Sequence, residues 1–315
     1  MKTLKKRLAS GLCAAALAMG AAACASTDTT EVASADTAAT MPMEEAIGTG
    51  PALWKVADED TTIYIFGTVH ALPSDVDWKS GPVQTALNSA DSLVTEIDMT
   101  PESMAAMGPM IMGKAMLPEG QTLRGLMNDD QRTRYEAGLA KMGIPAEALD
   151  RFEPWFAAVN VAQVMLQKAG FSGDAGVEKL LEAAVPTDTK RVALETVEFQ
   201  ISIFDEQPMD QQIPYLLQAV EMPEEGVAVL KKIVEEWAEG DVDDLGALLM
   251  QATAATPELN ERLFFQRNAN WAVWIDDRLD APGTAFMAVG AGHLAGERSV
   301  QDYLGQRGIE VTRIQ

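Results

Sequence analysis

From residue 50 onward, short apolar runs alternate with longer segments of helical periodicity. Ala52-Leu53-Trp54-Lys55-Val56 and Thr62 to Phe66 flank the acidic turn Ala57-Asp58-Glu59-Asp60-Thr61, and predict a hairpin. Ser80 is placed to cap a helix with Pro82 in its first turn. Val83, Ala86, Leu87 and Ala90 keep the i, i+3, i+4, i+7 spacing of one buried helical face. Ser92 to Asp98 then predicts a strand ending in carboxylates, which completes a βαβ-like unit. Asn128 to about Lys168 reads as helical, with Trp155, Val159, Ala162 and Leu166 on one face after Pro154. Arg191 to Glu195 is a third short strand that ends in a carboxylate.

Two helical stripes come next, Leu230-Ile233-Val234-Trp237 and a longer one from Leu259 to Leu279. Ala285 to Val289 predicts a strand, Ser299 to Arg307 a helix, and Ile309 to Ile314 a last strand. Strands alternating with helices give an α/β fold: a central mixed, largely parallel sheet flanked by helices, with a large helical insertion. Methionines at 99, 104, 107, 110, 112, 116 and 127 crowd the segment after the first carboxylates. Their pliability suits core packing, with the wall of a binding groove as the alternative.

The N-terminus has a different pattern. Lys2, Lys5, Lys6 and Arg7 precede an alanine-rich apolar run from Leu8 to Ala23, and small residues lead directly to Cys24. This is the layout of a lipoprotein signal over 1–23, with Cys24 as the lipidated residue. The alternative is cleavage after the small residues Ala21 and Ala23, which would release a soluble periplasmic protein. Residues 24–50 carry Ser, Thr, Ala and acids without apolar periodicity and read as a tether. That leaves 51–315 as a single domain, held in the cell envelope and facing the periplasm.

Composition narrows the chemistry. The cysteines are Cys13 and Cys24 alone, so the domain has neither disulfide nor thiolate metal site. Removing residues 1–23, with four positive charges and no negative ones, takes the formal charge from −23 to −27. Such a balance argues against nucleic acid and against anionic lipid surfaces as partners. The two histidines, His70 and His293, both stand three residues after a glycine, just past a predicted strand. Neutral imidazole is a common metal ligand and carboxylate completes a nitrogen/oxygen set. His70, His293 and Glu96 are therefore candidate ligands of a divalent ion (Mn, Co or Zn). Glu195 is a candidate general base or a partner behind the ligands. Arg267 lies on one helical face with Phe264, Trp271 and Trp274, where a buried guanidinium needs a carboxylate. Glu96 and Asp98, two apart on a strand, are expected to share a face.

Leu53-Trp54-Lys55-Val56, Tyr64 to His70, Glu96-Ile97-Asp98, Leu194-Glu195-Thr196, Gln266-Arg267-Asn268 and Val289 to Gly296 together resemble the TraB/GumN family. The likeness runs from about residue 50 to the C-terminus. The family is similar in its motifs to the TIKI metalloproteases and the erythromycin-esterase/ChaN-like group, which implies a mixed sheet surrounded by helices. In TIKI proteins the paired G-x-x-H motifs and a glutamate are associated with metal-dependent peptide cleavage. The resemblance thus implies His70, Glu96 and His293 as the working set, with Arg267 as the motif's arginine. Where the family often has Gly-x-Asp, this chain has Gly176-Val177-Glu178. Two functions stand as expectations. One is a metal-dependent peptidase or related hydrolase of the envelope, acting on a peptide or envelope-associated substrate. The other is a non-catalytic protein that binds or sequesters a peptide or polysaccharide.

Overall fold

The computed structural model describes residues 50–254 and 256–315; the signal segment, Cys24 and the tether lie outside the described residues. Six strands form one sheet: β1 (Leu53–Ala57), β2 (Thr61–Thr68), β3 (Ser92–Thr95), β4 (Lys190–Ala193), β5 (Gly283–Gly290) and β6 (Thr312–Arg313), in the order β4-β3-β5-β2-β1-β6. Strands β4, β3, β5 and β2 are parallel neighbours, while β1 pairs antiparallel with both β2 and β6. The acidic turn closes the β1–β2 hairpin, with Asp58 accepting from the Thr61 amide at 2.8 Å.

The two central strands show why the sheet is covered on both faces. On β5, Ala285, Met287 and Val289 enter one apolar layer, while Phe286 and Ala288 enter the opposite one. On β2, Ile63 and Ile65 join the first layer and Phe66 the second. Side chains alternate across a strand, so a run that is apolar at every position needs cover above and below. Trp271 and Ile275, from the helix α11 (Gln266–Leu279), cover the first face. The second is covered by α1 (Gly81–Asn88), α5 (Val177–Ala184), α8 (Pro223–Glu239) and α9 (Val242–Thr253). Ser80 caps α1, with Pro82 in its first turn.

A third apolar layer belongs to helices alone. It is built by α3 (Asp129–Met142), α4 (Pro154–Lys168), α6 (Val197–Asp205) and α7 (Met209–Glu221). Asn128 opens α3 with a reciprocal capping box and Gly143 ends it in the left-handed conformation. This is the large insertion between β3 and β5, interrupted only by the edge strand β4.

Three expectations are corrected. Strand β3 ends at Thr95, before the acids, so alternation lapses and Glu96 and Asp98 do not act as a pair. Asp98 instead accepts from the Thr100 amide at 2.9 Å and the Ser103 hydroxyl, holding the start of α2 (Pro101–Ala115). The stripe from Leu259 to Leu279 is broken into α10 (Pro257–Asn260), a π-helical turn over Glu261–Phe265, and α11. Of the methionines, Met107 and Met127 are core residues, whereas Met112 and Met116 stand 40% and 38% exposed. No helix among the described residues is long and apolar enough to cross a membrane.

Candidate active site

Strands β2 and β5 are in parallel register with Thr68 opposite Gly290. His70 and His293 therefore leave the sheet at the same carboxyl edge. Strand β3 neighbours β5, with Thr95 opposite Ala288, and delivers Glu96 to that edge as well. The ladder continues past β4, since the Glu195 amide donates to the Glu96 carbonyl at 2.8 Å. Four polar residues from four parallel strands thus meet where open α/β sheets bind ligands.

Arg267 enters from α11 and is 1% exposed. Its Nη2 donates to Glu96 Oε2 at 2.6 Å, and its Nε and Nη2 grip both oxygens of Glu195 at 2.9–3.0 Å. Nη1 donates to the Leu263 carbonyl at 2.9 Å and lies 3.0 Å from His293 Nε2. The Leu263 carbonyl belongs to the π-helical turn, a feature that often marks functional sites in helices. Trp271 lies under the guanidinium at 4.8 Å and donates its indole N–H to Glu195 Oε1 at 3.0 Å. Gln200, on α6, donates to Glu96 at 2.9 Å and Glu195 at 3.1 Å. The Gly290 amide donates to Glu96 Oε1 at 2.7 Å.

His293 is buried between Phe264 and Trp271, at ring separations of 5.2 and 4.3 Å. Its Nδ1 sits 2.6 Å from Asn268 Oδ1, while the Asn268 amide nitrogen donates to the Arg298 carbonyl at 2.8 Å. With the Asn268 orientation fixed, its oxygen requires a proton on Nδ1, which leaves the lone pair on Nε2. Burial, and then the Arg267 charge, hold this imidazole well below its usual pKa, so the ring is neutral.

His70 is built differently. Its side chain is 16% exposed, and Nδ1 lies 2.6 Å from Glu178 Oε1. Glu178 is buried and also accepts from the Thr68 hydroxyl. Helix α5 carries Glu178 and starts against the His70 backbone, where Val177 N donates to the Val69 carbonyl at 3.0 Å. A Cβ on Gly176 would stand 2.3 Å from the His70 carbonyl oxygen, so only glycine lets the helix approach this closely. Nε2 of His70 has no hydrogen-bond partner among the described residues. Burial alone would depress the His70 pKa, but the Glu178 carboxylate outweighs it and raises the value. Burial likewise opposes charge on Glu96, and Arg267, His293 and His70 nonetheless hold its carboxyl well below the carboxylate range.

The geometry sorts the residues expected from the sequence. Glu96, Glu195, Arg267 and His293 form one buried network. His70 stands beside it on its own carboxylate, close enough to shift the pKa of Glu96 and His293. The trio His70, Glu96 and His293 does not bring one donor atom from each within 4.8 Å. Among the described residues, Glu236, Asp241 and Asp244 are the group that meets this spacing. Those acids lie at the α8–α9 corner, where Lys232 already pairs with Glu236. Glu178, Gln200 and Asn268 had no assigned role in the sequence reading. The signal for Glu178 was Gly176 two residues earlier, and that for Asn268 its place beside Arg267. Gln200 carried none.

A family model of TraB/PrgY/gumN proteins matches residues 52–313, which takes in every strand of the sheet from β1 to β6. The chain belongs to the TraB/PrgY/gumN family. Both histidines, both site glutamates and the arginine fall inside the matched span of this TraB-family domain. No curated protein and no solved structure matches the chain.

Proposed function

We propose that this TraB-family chain is a hydrolase of the bacterial cell envelope that cleaves peptide bonds, anchored by lipid at Cys24. The observation that carries the reading is His70. It alone among the charged residues at this edge combines partial exposure with a ring nitrogen lacking a partner, and a carboxylate stands behind its other nitrogen. That pairing orients the ring and raises the basicity of Nε2.

A divalent ion (Mn, Co or Zn) is the cofactor the reading implies. The donor types suit it, since each histidine has an acceptor at Nδ1, Glu178 or Asn268, which leaves the lone pair on Nε2, although the three donor atoms do not all lie within 4.8 Å of one another here. His70, His293 and Glu96 would hold the ion, which when bound supplies an acidified water and polarises the scissile carbonyl. The remaining residues orient these three. Glu178 and Asn268 fix the two rings. Arg267 holds Glu96 charged, and Glu195, tied to Arg267, Gln200 and Trp271, holds Arg267 in place.

A second reading has its own observation. Arg267 Nη1 lies 3.0 Å from His293 Nε2, so that lone pair already has a partner. In that case His70 acts alone as the base. Its Nε2 takes a proton from the attacking water and returns it to the leaving amine.

The test is turnover of an unstructured fluorogenic peptide by protein purified without chelator, together with metal analysis. His70→Ala is expected to lower turnover at least ~10²-fold with the fold intact by circular dichroism. About one equivalent of metal, lost in His293→Ala, supports the first reading; full activity without metal supports the second. Unchanged turnover in His70→Ala removes both and places the cleavage on other residues, whereas no turnover by the unaltered protein leaves one that binds without cleaving.

A further inference from the structure

Helix α2 leaves the site five residues after Glu96 and buries few of its side chains. Met107 and Ala115 are its only core residues. Glu102 and Lys114 are its only charges. Helix α6 starts beyond the neighbouring strand β4 and packs along α2, and their far ends are tied by Lys114 and Asp205 at 3.2 Å. The two helices therefore run side by side, away from the carboxyl edge. Their outer surfaces carry Met112 at 40% exposure and Phe199 at 39%, and Met209 at the start of α7 adds another 39%. Phe199 directly precedes Gln200, whose amide touches both site glutamates.

The unpaired charges beside these residues have one sign. Glu102, Glu198 and Asp210 are exposed and form no ion pair among the described residues. The two nearby cations are already neutralised, Lys114 by Asp205 and Arg262 by Glu206 at 2.8 Å. An acidic margin around this surface repels a second copy of itself, and it repels the phosphates of a membrane. It attracts an apolar segment flanked by cations. Methionine is the side chain that adapts to apolar partners of varied shape.

We propose that the paired outer faces of α2 and α6 form the substrate-docking surface, and that they take an unfolded polypeptide segment whose apolar side chains are flanked by Lys or Arg. Docking there leads the chain past Phe199 to the edge bearing His70. Cleavage of the docked segment rests on the hydrolase reading; docking itself does not.

The probe is a fluorescein-labelled synthetic peptide of leucine, phenylalanine and lysine spaced by glycine, compared with its counterpart bearing glutamate for lysine. Anisotropy with the full chain is expected to show binding of the lysine peptide, weakened at least about tenfold in the double variant Met112→Ser/Phe199→Ser. Glu102→Lys/Glu198→Lys is expected to weaken the lysine peptide and to admit the glutamate peptide. Both pairs are exposed, so the fold is retained. His70→Ala is expected to bind as wild type does. Binding without turnover upholds the docking surface while ending the hydrolase reading. Equal binding of both peptides, no binding of either, or affinity unchanged in Met112→Ser/Phe199→Ser overturns the proposal. So does flotation of the protein, freed of its lipid, with phosphatidylcholine or phosphatidylglycerol vesicles through these residues, or dimerisation that the same double variant abolishes in sedimentation.

Discussion

The ion cluster at the sheet edge and the helical layer behind it are both buried, and they are held by opposite means. In the cluster, Glu96, Glu195, Arg267 and His293 hold one another, and Gln200, Asn268, Trp271 and the Gly290 amide complete their bonding. In the helical layer, Tyr135 and Trp155 are 0% and 1% exposed, yet Tyr135 Oη and Trp155 Nε1 have no hydrogen-bond partner among the described residues. Volume fixes the helical layer, so it tolerates an idle polar atom. Charge fixes the cluster, so each member depends on the rest.

The sharpest way to break this contrast is Arg267→Met, which keeps an unbranched side chain and removes the charge. Glu96 and Glu195 would then be buried facing each other with no cation between them. A loss of roughly 3–5 kcal/mol is expected in denaturant unfolding. Adding Glu195→Leu, which also removes a stranded charge, is expected to recover part of that loss. If Arg267→Met costs no more than an ordinary core substitution, the cluster is not held by charge.

A smaller effect is expected behind His70. Glu178→Gln preserves shape and removes the carboxylate that raises the His70 pKa. A raised folded-state pKa means that the proton leaves His70 only at higher pH. Removing the cause moves the acid limb of the pH–rate profile to lower pH. The basicity of Nε2 falls with it, and a decrease of about 10–100-fold in maximal rate is expected. An acid limb that stays in place would detach Glu178 from His70 function.

How much of this was legible in the sequence divides along the same line. The sheet was readable because Ile63 to Phe66 of β2 and Ala285 to Val289 of β5 are unbroken apolar runs, as a strand covered on both faces requires. The histidine edge was readable because each ring comes three residues after a glycine that closes an apolar run. The lapse at Glu96 was hidden, because Ser92 to Asp98 has the composition of one strand while the chain turns at Thr95. The π-helical turn was hidden too, since one extra residue in a turn barely disturbs an apolar stripe. Glu178 and Gln200 depend on how α5 and α6 dock, and periodicity within one segment says nothing of what a distant segment brings beside it. The exposed faces of α2 defeated the reading for another reason: methionine on an open surface has the same spacing as methionine in a core.

The smallest expected effect tests the helical layer. Burial pushes the Tyr135 phenol above its usual pKa, the Asp150 carboxylate adds to this, and the Arg124 guanidinium partly offsets it. The folded state thus favours the neutral phenol. Stability is complete below the unfolded tyrosine pKa of about 10, and declines as pH climbs from there toward the folded value. Tyr135→Phe removes a hydroxyl that forms no bond, so near neutral pH it is expected to be neutral or to stabilise by up to ~1 kcal/mol. Its effect is expected to grow in the stabilising direction above about pH 10, because the variant has no phenol to ionise there. Urea midpoints for both proteins, at neutral and alkaline pH, measure this. A Tyr135→Phe variant that loses more than ~1 kcal/mol near neutral pH would show that the hydroxyl is bonded after all, and that the helical layer, like the ion cluster, is held by specific polar contacts.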